Sequence, residues 1–366
     1  MKIAPFDYID SDQKLTQFCT QIANADWIAV DTEFMRERTY YAQLALIQVT
    51  CEYGSACIDP VAVSNLEPFT TIMQSPDCLK IMHSASQDLE VLNQVMGFVP
   101  SPLFDTQIAA GFMGAADQIS YAGIVKDRLG IELSKEQTRT NWLQRPLTAD
   151  QIEYAQLDVV YLKALTDQLS EQLDEKGRLQ WHYDECAVLV KRYEQEDAIN
   201  QAWLRIKSVQ SMDAKAQGVV QVVSAWREQL AQERDLPREW VLGKQAIVEI
   251  ARAGPTDMQG LHSLESLTDK QRQRYGKTLI QLVEQAAENA SPLPVHSPLD
   301  SAQRNQSKAL MSKLRESAEV LSITPALLAN RNSIELLVRG ERDLPLLRTW
   351  RAEQIGSTLL QMLETG

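Results

Sequence analysis

Two carboxylates stand one residue apart in Asp31-Thr32-Glu33, at the end of the hydrophobic run Trp27–Val30. In a strand, alternate side chains share a face, so Asp31 and Glu33 project together, about 6–7 Å apart along the chain. Left alone they repel, and a hard divalent cation such as Mg²⁺ or Mn²⁺, which favours carboxylate oxygen, resolves the repulsion. Asp88 lies in the first turn of a predicted helix, just after His83-Ser84-Ala85-Ser86, a place where the helix dipole also favours an acid. Tyr154 and Asp158 are four residues apart in YAQLDVVYL and share one helix face. The flanking Ile152, Leu157, Val160, Tyr161, Leu162 and Leu165 make that helix largely buried, and a carboxylate beside a buried stripe needs a partner or a metal. Each feature alone has a bland reading as an exposed strand edge or a dipole partner; the set as a whole suggests a metal-dependent site.

The elements that must position these residues are mixed. Trp27–Phe34, Leu44–Thr50, Ser55–Asp59 and Leu79–His83 are rich in β-branched and apolar residues and read as strands. Ser86–Met96 reads as a helix with Ser86 as N-cap. A long helix is predicted from Thr148 to about Lys176, opened by a capping box of Thr148 and Gln151 and ended by Gly177. After about residue 205 the strand-like runs give way to helical patterning, interrupted at Gly254–Gly260 and at Ser291–Pro298. The segments on either side of the second break resemble each other. Leu236–Gly254 aligns without gaps to Ile323–Glu341, pairing Val241 with Leu328, Lys244 with Arg331, Ile247 with Ile334 and Ile250 with Leu337. Tyr275-Gly276 matches Ile355-Gly356, and the offset is 87 residues in the first match and 80 in the second. This is the mark of a degenerate repeat about 70–80 residues long.

A chain of 366 residues exceeds what one core holds and suggests two or three domains. With 44% hydrophobic and 23% charged residues, its composition excludes disordered and collagenous classes. No apolar run is long enough for a membrane span, and the start lacks a secretory core, so a cytoplasmic, non-membrane protein is expected. Five cysteines without a C-x-x-C pair suggest reduced thiols and no thiolate zinc site. The net charge of −13 runs against a nucleic-acid partner until its distribution is counted. Residues 1–200 carry 15 Lys and Arg against 30 Asp and Glu, whereas residues 201–366 carry 21 against 19. The acidity therefore belongs to the half that carries the carboxylate motifs.

In order and spacing, Asp31-x-Glu33, Asp88 and Tyr154-x-x-x-Asp158 resemble the three motifs of DEDD-superfamily exonucleases, in the tyrosine-bearing branch. The wider stretches VDTEFMRERTYYAQLALIQV, HSASQDLEVL, FDTQIAAGFM and NWLQRPLTADQIEYAQLDVVYLKAL resemble the ribonuclease D family within it, and the helical repeats resemble its HRDC domains. One departure is Asn141 before Trp142, where that family often has an acid. The resemblance implies an α/β ribonuclease H-like exonuclease domain over residues 1–207, followed by two all-α HRDC-like domains. The first spans 208–290 and the second 299–366, with a linker at 291–298. It implies a monomeric 3′–5′ exoribonuclease that uses two Mg²⁺ or Mn²⁺ ions to release nucleoside 5′-monophosphates, with transfer-RNA precursors as substrates. On this reading Asp31 bridges both metals, Glu33 and Asp158 complete the site that activates water, and Asp88 serves the second metal through its outer shell. Tyr154, a poor base at neutral pH, orients the attacking water. A DNA exonuclease and a non-catalytic RNA-binding protein are the alternatives, the second disfavoured because none of the five motif residues is lost.

Other residues are secondary. Phe34 and Met35 follow the first motif and either pack against the terminal base or fill the core. His83 and Asp105 read as structural, the latter as an N-cap. Tyr40 and Tyr41 read as packing residues. Lys244 and Arg331 recur just after the helix-start candidates Gly243 and Asn330, where the dipole opposes a cation, so exposure to an anionic partner is expected.

Overall fold

The structure, a computed structural model, describes residues 6–116, 118–133, 140–194, 199–288, 293 and 298–365. The first half runs β1 (Asp7–Ile9), α1 (Asp12–Gln21), β2 (Trp27–Met35), β3 (Gln43–Cys51), β4 (Gly54–Ile58), α2 (Glu67–Gln74), β5 (Leu79–Met82), α3 (Ser86–Met96), β6 (Leu103–Asp105) and α4 (Thr106–Phe112). It continues through α5 (Tyr121–Leu129), α6 (Ala149–Val160), α7 (Leu162–Glu175) and α8 (Leu179–Glu194). The six strands form one mixed sheet in the order β1-β4-β3-β2-β5-β6. β5 runs parallel to both β2 and β6, β1 is parallel to β4, and β3 is antiparallel to β4. Alternation along β2 feeds both faces: Ile28 and Val30 join the cluster containing Leu15, Phe18, Phe69 and Leu92, while Ala29 joins the one containing Phe104, Phe112, Val159 and Leu165.

The four expected strands are β2 to β5. β1 and β6, three residues each, carry too little pattern to be read from sequence. Two expectations need correction. Ser86 is not the N-cap of α3; that position is Ala85, with no side-chain cap. The carboxylate of Asp105 instead accepts from the Ser84 and Ala85 N–H groups, at 3.1 and 2.8 Å. The single helix expected from Thr148 to Lys176 is broken at Tyr161 into α6 and α7. Its capping box, with Thr148 and Gln151 bonding reciprocally, and the left-handed Gly177 after its end are both present.

The second half is helical among the described residues: α9 (Ala214–Glu233), α10 (Arg238–Val241), α11 (Lys244–Ala253), α12 (Met258–His262), α13 (Asp269–Glu288), α14 (Ser301–Leu321), α15 (Pro325–Leu328), α16 (Arg331–Val338), α17 (Thr349–Arg351) and α18 (Ser357–Thr365). The repeat is visible in the backbone. Ala214, Arg238 and Lys244 open α9, α10 and α11, and Ser301, Pro325 and Arg331, each 87 residues later, open α14, α15 and α16. Asp213 and Asp300 cap the first helix of each set. The two matched glycines both sit in close packing: at Gly356 a Cβ would lie 2.5 Å from the Leu346 carbonyl oxygen, which requires glycine, whereas at Gly276 it would meet the movable end of Met258, Sδ at 2.8 Å. The expected linker 291–298 lies largely outside the described residues; within it Leu293 is buried, its N–H donating to Gln217.

Two compact units emerge, and they do not follow chain order. One comprises Met1–Met35, Leu44–Glu194 and Leu299–Gly366; the other comprises Arg36–Gln43 and Gln195–Pro298. In the first, Trp350 stacks on Trp181 with centroids 4.8 Å apart, Arg351 pairs with Glu185, and Thr324 donates from its backbone to Gly111 and from its hydroxyl to Ala115. In the second, Val219, Val223, Ile247, Ile250 and Leu279 form the core.

Candidate metal centre

β2 delivers Asp31 and Glu33 at its C-terminal end, once Ile28, Ala29 and Val30 have buried the strand between β3 and β5. β5 leads through Ser84, whose φ is +59°, into α3, which carries Asp88 in its first turn. That turn is held by Asp105, which also accepts from Gln107 and Ile108 and so caps α4 as well. One carboxylate thus fixes two helix starts, and the reading of Asp105 as an N-cap captures half of its role. α6 packs on β2 and β4 and brings in Tyr154 and Asp158.

Before α6, Arg145 anchors the chain with a two-pronged bond to Asp59, both contacts 2.6 Å, and further bonds to the carbonyls of Ala45 and Trp142. Tyr8 donates to the same Asp59 carboxylate at 2.6 Å. The buried Trp142 ring then lies 6.0 Å from that of Tyr154. Asn141, the one departure noted in the sequence, accepts from the Leu143 N–H through its side-chain oxygen, a role an acid would fill equally.

Asp31, Glu33 and Asp158 each offer a carboxylate oxygen, and the three oxygens lie within 4.8 Å of one another. Asp88 is outside this trio, buried, and accepts from the Thr32 hydroxyl at 2.5 Å. Burial raises the Asp31 carboxyl well above its usual range, and the charges of Asp88, Asp158 and Glu33 push it further. The same two causes, burial first, raise Glu33 to about 9, with Asp158 and Asp88 as its charged neighbours. Burial takes Asp158 to about 7, against a lowering hydrogen bond from Tyr154. Asp88 rises to about 6 by burial, opposed by the Thr32 hydrogen bond. Three carboxylates this close, with the charge of Asp88 felt by Asp31 and Glu33, have the donor chemistry of a hard-cation site.

The remaining expected residues are placed as follows. Met35 is half-buried in a cluster with Trp142, Leu147, Ala155 and Tyr154, as core packing requires. Phe34 is half-buried too, and is not part of that cluster. His83 is structural: its Nε2 donates to the Ile119 carbonyl at 2.9 Å and its Nδ1 faces the Thr106 hydroxyl. Lys244 and Arg331 are the first residues of α11 and α16 and both are exposed, with Arg331 donating to Glu335 at 2.7 Å. Sequence reasoning missed Thr32, hidden between two more conspicuous acids. It also missed Tyr121, whose hydroxyl reaches the break between α6 and α7 from a residue with no motif around it.

The 3′-5′ exonuclease family matches residues 6–174, and the HRDC domain family matches residues 216–283. Ribonuclease D of Escherichia coli strain K12 is 35% identical over 370 residues, covering 98% of each chain. Ribonuclease D of Pseudomonas paraeruginosa is 34% identical over 368 residues, again covering 98% of each. The crystal structure of Escherichia coli RNase D, described as an exoribonuclease involved in structured RNA processing, superposes with a TM-score of 0.92 at 34% identity and 99% coverage of both chains. A likeness that runs through the exonuclease sheet and on through the helical half at this level of identity means that the chain belongs to the ribonuclease D family.

Proposed function

We infer that the protein shortens RNA from its 3′ end by hydrolysis, releasing nucleoside 5′-monophosphates, with the 3′ maturation of transfer RNA as its cellular role. The convergence of Asp31, Glu33 and Asp158 within 4.8 Å, beside the buried Asp88, carries the reading. Asp31, Glu33 and Asp158 would hold one Mg²⁺ or Mn²⁺, and Asp31 a second, with Asp88 serving the second largely through its outer shell. When bound, such a pair makes water acidic enough to attack at neutral pH and offsets charge on the leaving oxygen. Tyr154, hydrogen-bonded to Asp158, orients the attacking water as a hydrogen-bonding group and not as its base. Phe34, half-buried next to Glu33, is read as packing against the terminal base, and Met35 packs in the cluster that also holds the Tyr154 ring.

The domain limits we propose are 1–207 for the exonuclease, 208–290 for one HRDC-like module and 299–366 for another. The shared 87-residue offset of three helix starts and the two Asp caps support the second module. Lys244 and Arg331, exposed at equivalent helix starts, are read as RNA phosphate contacts. The protein is read as a cytoplasmic monomer. Its five cysteines are buried and unbridged, which suits a reducing compartment, and among the described residues no helix is long and apolar enough to cross a membrane.

The test is a 5′-labelled RNA incubated with Mg²⁺, Mn²⁺ or excess EDTA, beside a 3′-phosphorylated RNA and a circular one. Labelled products shortening stepwise from the 3′ end, only with metal, are expected. Internal cuts in the circle, or hydrolysis in EDTA, would overturn the reading.

A further inference from the structure

The break between α6 and α7 has an external cause. In an uninterrupted helix the Tyr161 N–H would donate to the Leu157 carbonyl, four residues back. Here the Tyr121 hydroxyl lies between them: Tyr161 N–H donates to it at 3.2 Å, and it donates to Leu157 O at 3.0 Å. A side chain inserted into the backbone ladder is a recognised cause of a helix break. The local sequence favours continuity, since the apolar pattern from Thr148 to Lys176 reads as one helix. The interruption is therefore imposed from α5.

Its position matters because Leu157 precedes Asp158. The caught carbonyl is in the last turn of α6, the turn that presents Asp158 to Asp31 and Glu33. Tyr121 is itself held at two points. Ser120 caps α5, accepting from Gly123, and the Ile119 carbonyl just before it accepts from His83 at 2.9 Å and Gln107 at 3.0 Å. His83 ends the segment that leads to Asp88, and Gln107 lies in the helix start that Asp105 caps. The elements of the second and third carboxylate motifs thus meet at one loop.

We propose that Tyr121 is a positioning residue for the metal centre: by replacing one backbone hydrogen bond of the α6–α7 rod with two through its hydroxyl, it sets where Asp158 stands. This rests on the metal reading of the site. The experiment uses the full-length chain and Mn²⁺ alone, with free Mn²⁺ followed by electron paramagnetic resonance, for wild type, Tyr121→Phe and Ile124→Val. Tyr121→Phe keeps the ring and removes only the inserted oxygen. It is expected to weaken Mn²⁺ binding about 10–100-fold, the range for groups that orient metal ligands, and to lower kcat with KM for RNA unchanged. Ile124→Val trims a buried side chain of the same helix and should lower Tm while binding Mn²⁺ as wild type does. Amide exchange at Tyr161 should change in Tyr121→Phe, because the hydroxyl it donates to is gone and only the Val159 carbonyl remains as its acceptor.

Wild-type protein that binds no Mn²⁺ would sink the metal reading itself, and the role of Tyr121 with it. A wild type that binds Mn²⁺, with a Tyr121→Phe that binds it equally, would overturn only the role of Tyr121. So would an Ile124→Val that loses as much affinity, since the effect would then be general loosening of α5.

Discussion

Glu228, in the second unit, is fully buried, and the Asp31, Glu33 and Asp158 cluster in the first is half-buried, yet their surroundings are opposite. Burial pushes the Glu228 carboxyl up, but hydrogen bonds from Arg238 and Tyr40, with the charge of Arg205, outweigh it and hold the carboxyl below its usual value. Arg238 lies 2.6 Å and Arg205 3.1 Å from one of its oxygens, and the Tyr40 hydroxyl donates at 2.6 Å. The Asp31 cluster receives carboxylates as neighbours instead, and every member is raised. A buried acid with its own cations is structure, complete as folded; a group of buried acids without them is completed from outside.

Asp31→Asn should separate the two regions most sharply. It is expected to abolish nearly all hydrolysis, because a carboxamide cannot bridge two cations, while the metal-free protein keeps or gains thermal stability through the loss of like-charge crowding. A marked fall in Tm without metal would show that Asp31 is structural in the way Glu228 is. Tyr154→Phe should lower kcat by about 10²–10⁴, the range for a positioned proton-handling group, with Mn²⁺ binding retained. An unchanged rate would remove the hydroxyl from the mechanism. Glu228→Gln should leave catalysis on a short single strand intact and cost roughly 3 kcal/mol of stability by denaturant melting. That is the low end for a broken buried pair, because Arg205 and Arg238 keep part of their contact with water.

The two regions should also respond to pH with opposite sign. Glu228 is depressed, so its contribution is present above the unfolded glutamate value and is lost as pH falls through the folded one. Glu33 is raised to about 9, so the metal-free native state binds more protons than the unfolded chain between roughly pH 4.3 and 9, and stability falls as pH rises through that window. Mn²⁺ binding at pH 7 should accordingly release on the order of one proton, from Glu33 and in part Asp158, with Asp31 adding to it. Titration calorimetry in two buffers of different ionisation enthalpy reads this directly, and equal heats in both would contradict it. The smallest effect expected is in the helical half: Lys244→Ala and Arg331→Ala should each lower the salt slope of RNA binding by about one, with hydrolysis of short strands unchanged.

Much of the carboxylate cluster is legible because its residues are local signals: two acids at strand spacing, an acid after a strand end, and a phenol and acid at helix spacing. The capping box at Thr148 was legible for the same reason. The Tyr161 break was not, since its cause is Tyr121, forty residues earlier and without a motif. The start of α3 was misread because Asp105, from another strand, does what Ser86 was expected to do. Nor does local pattern say what packs with what. Arg36–Gln43 follows β2 directly but belongs to the helical unit, where Tyr40 donates to Glu228 and accepts from Arg238.

The discontinuity of the first unit bears on how the protein is made. Its sheet is synthesised first, then α9 to α13 of the other unit, and only afterwards the segment Leu299–Gly366 that covers Phe112 and Trp181 with Trp350. Domains fold as units during synthesis, at the pace of translation. A ribosome-bound chain that has finished its sheet therefore still exposes an aromatic surface awaiting its cover. The nascent nuclease stays incomplete, beside a machine built of RNA, until that later segment has emerged.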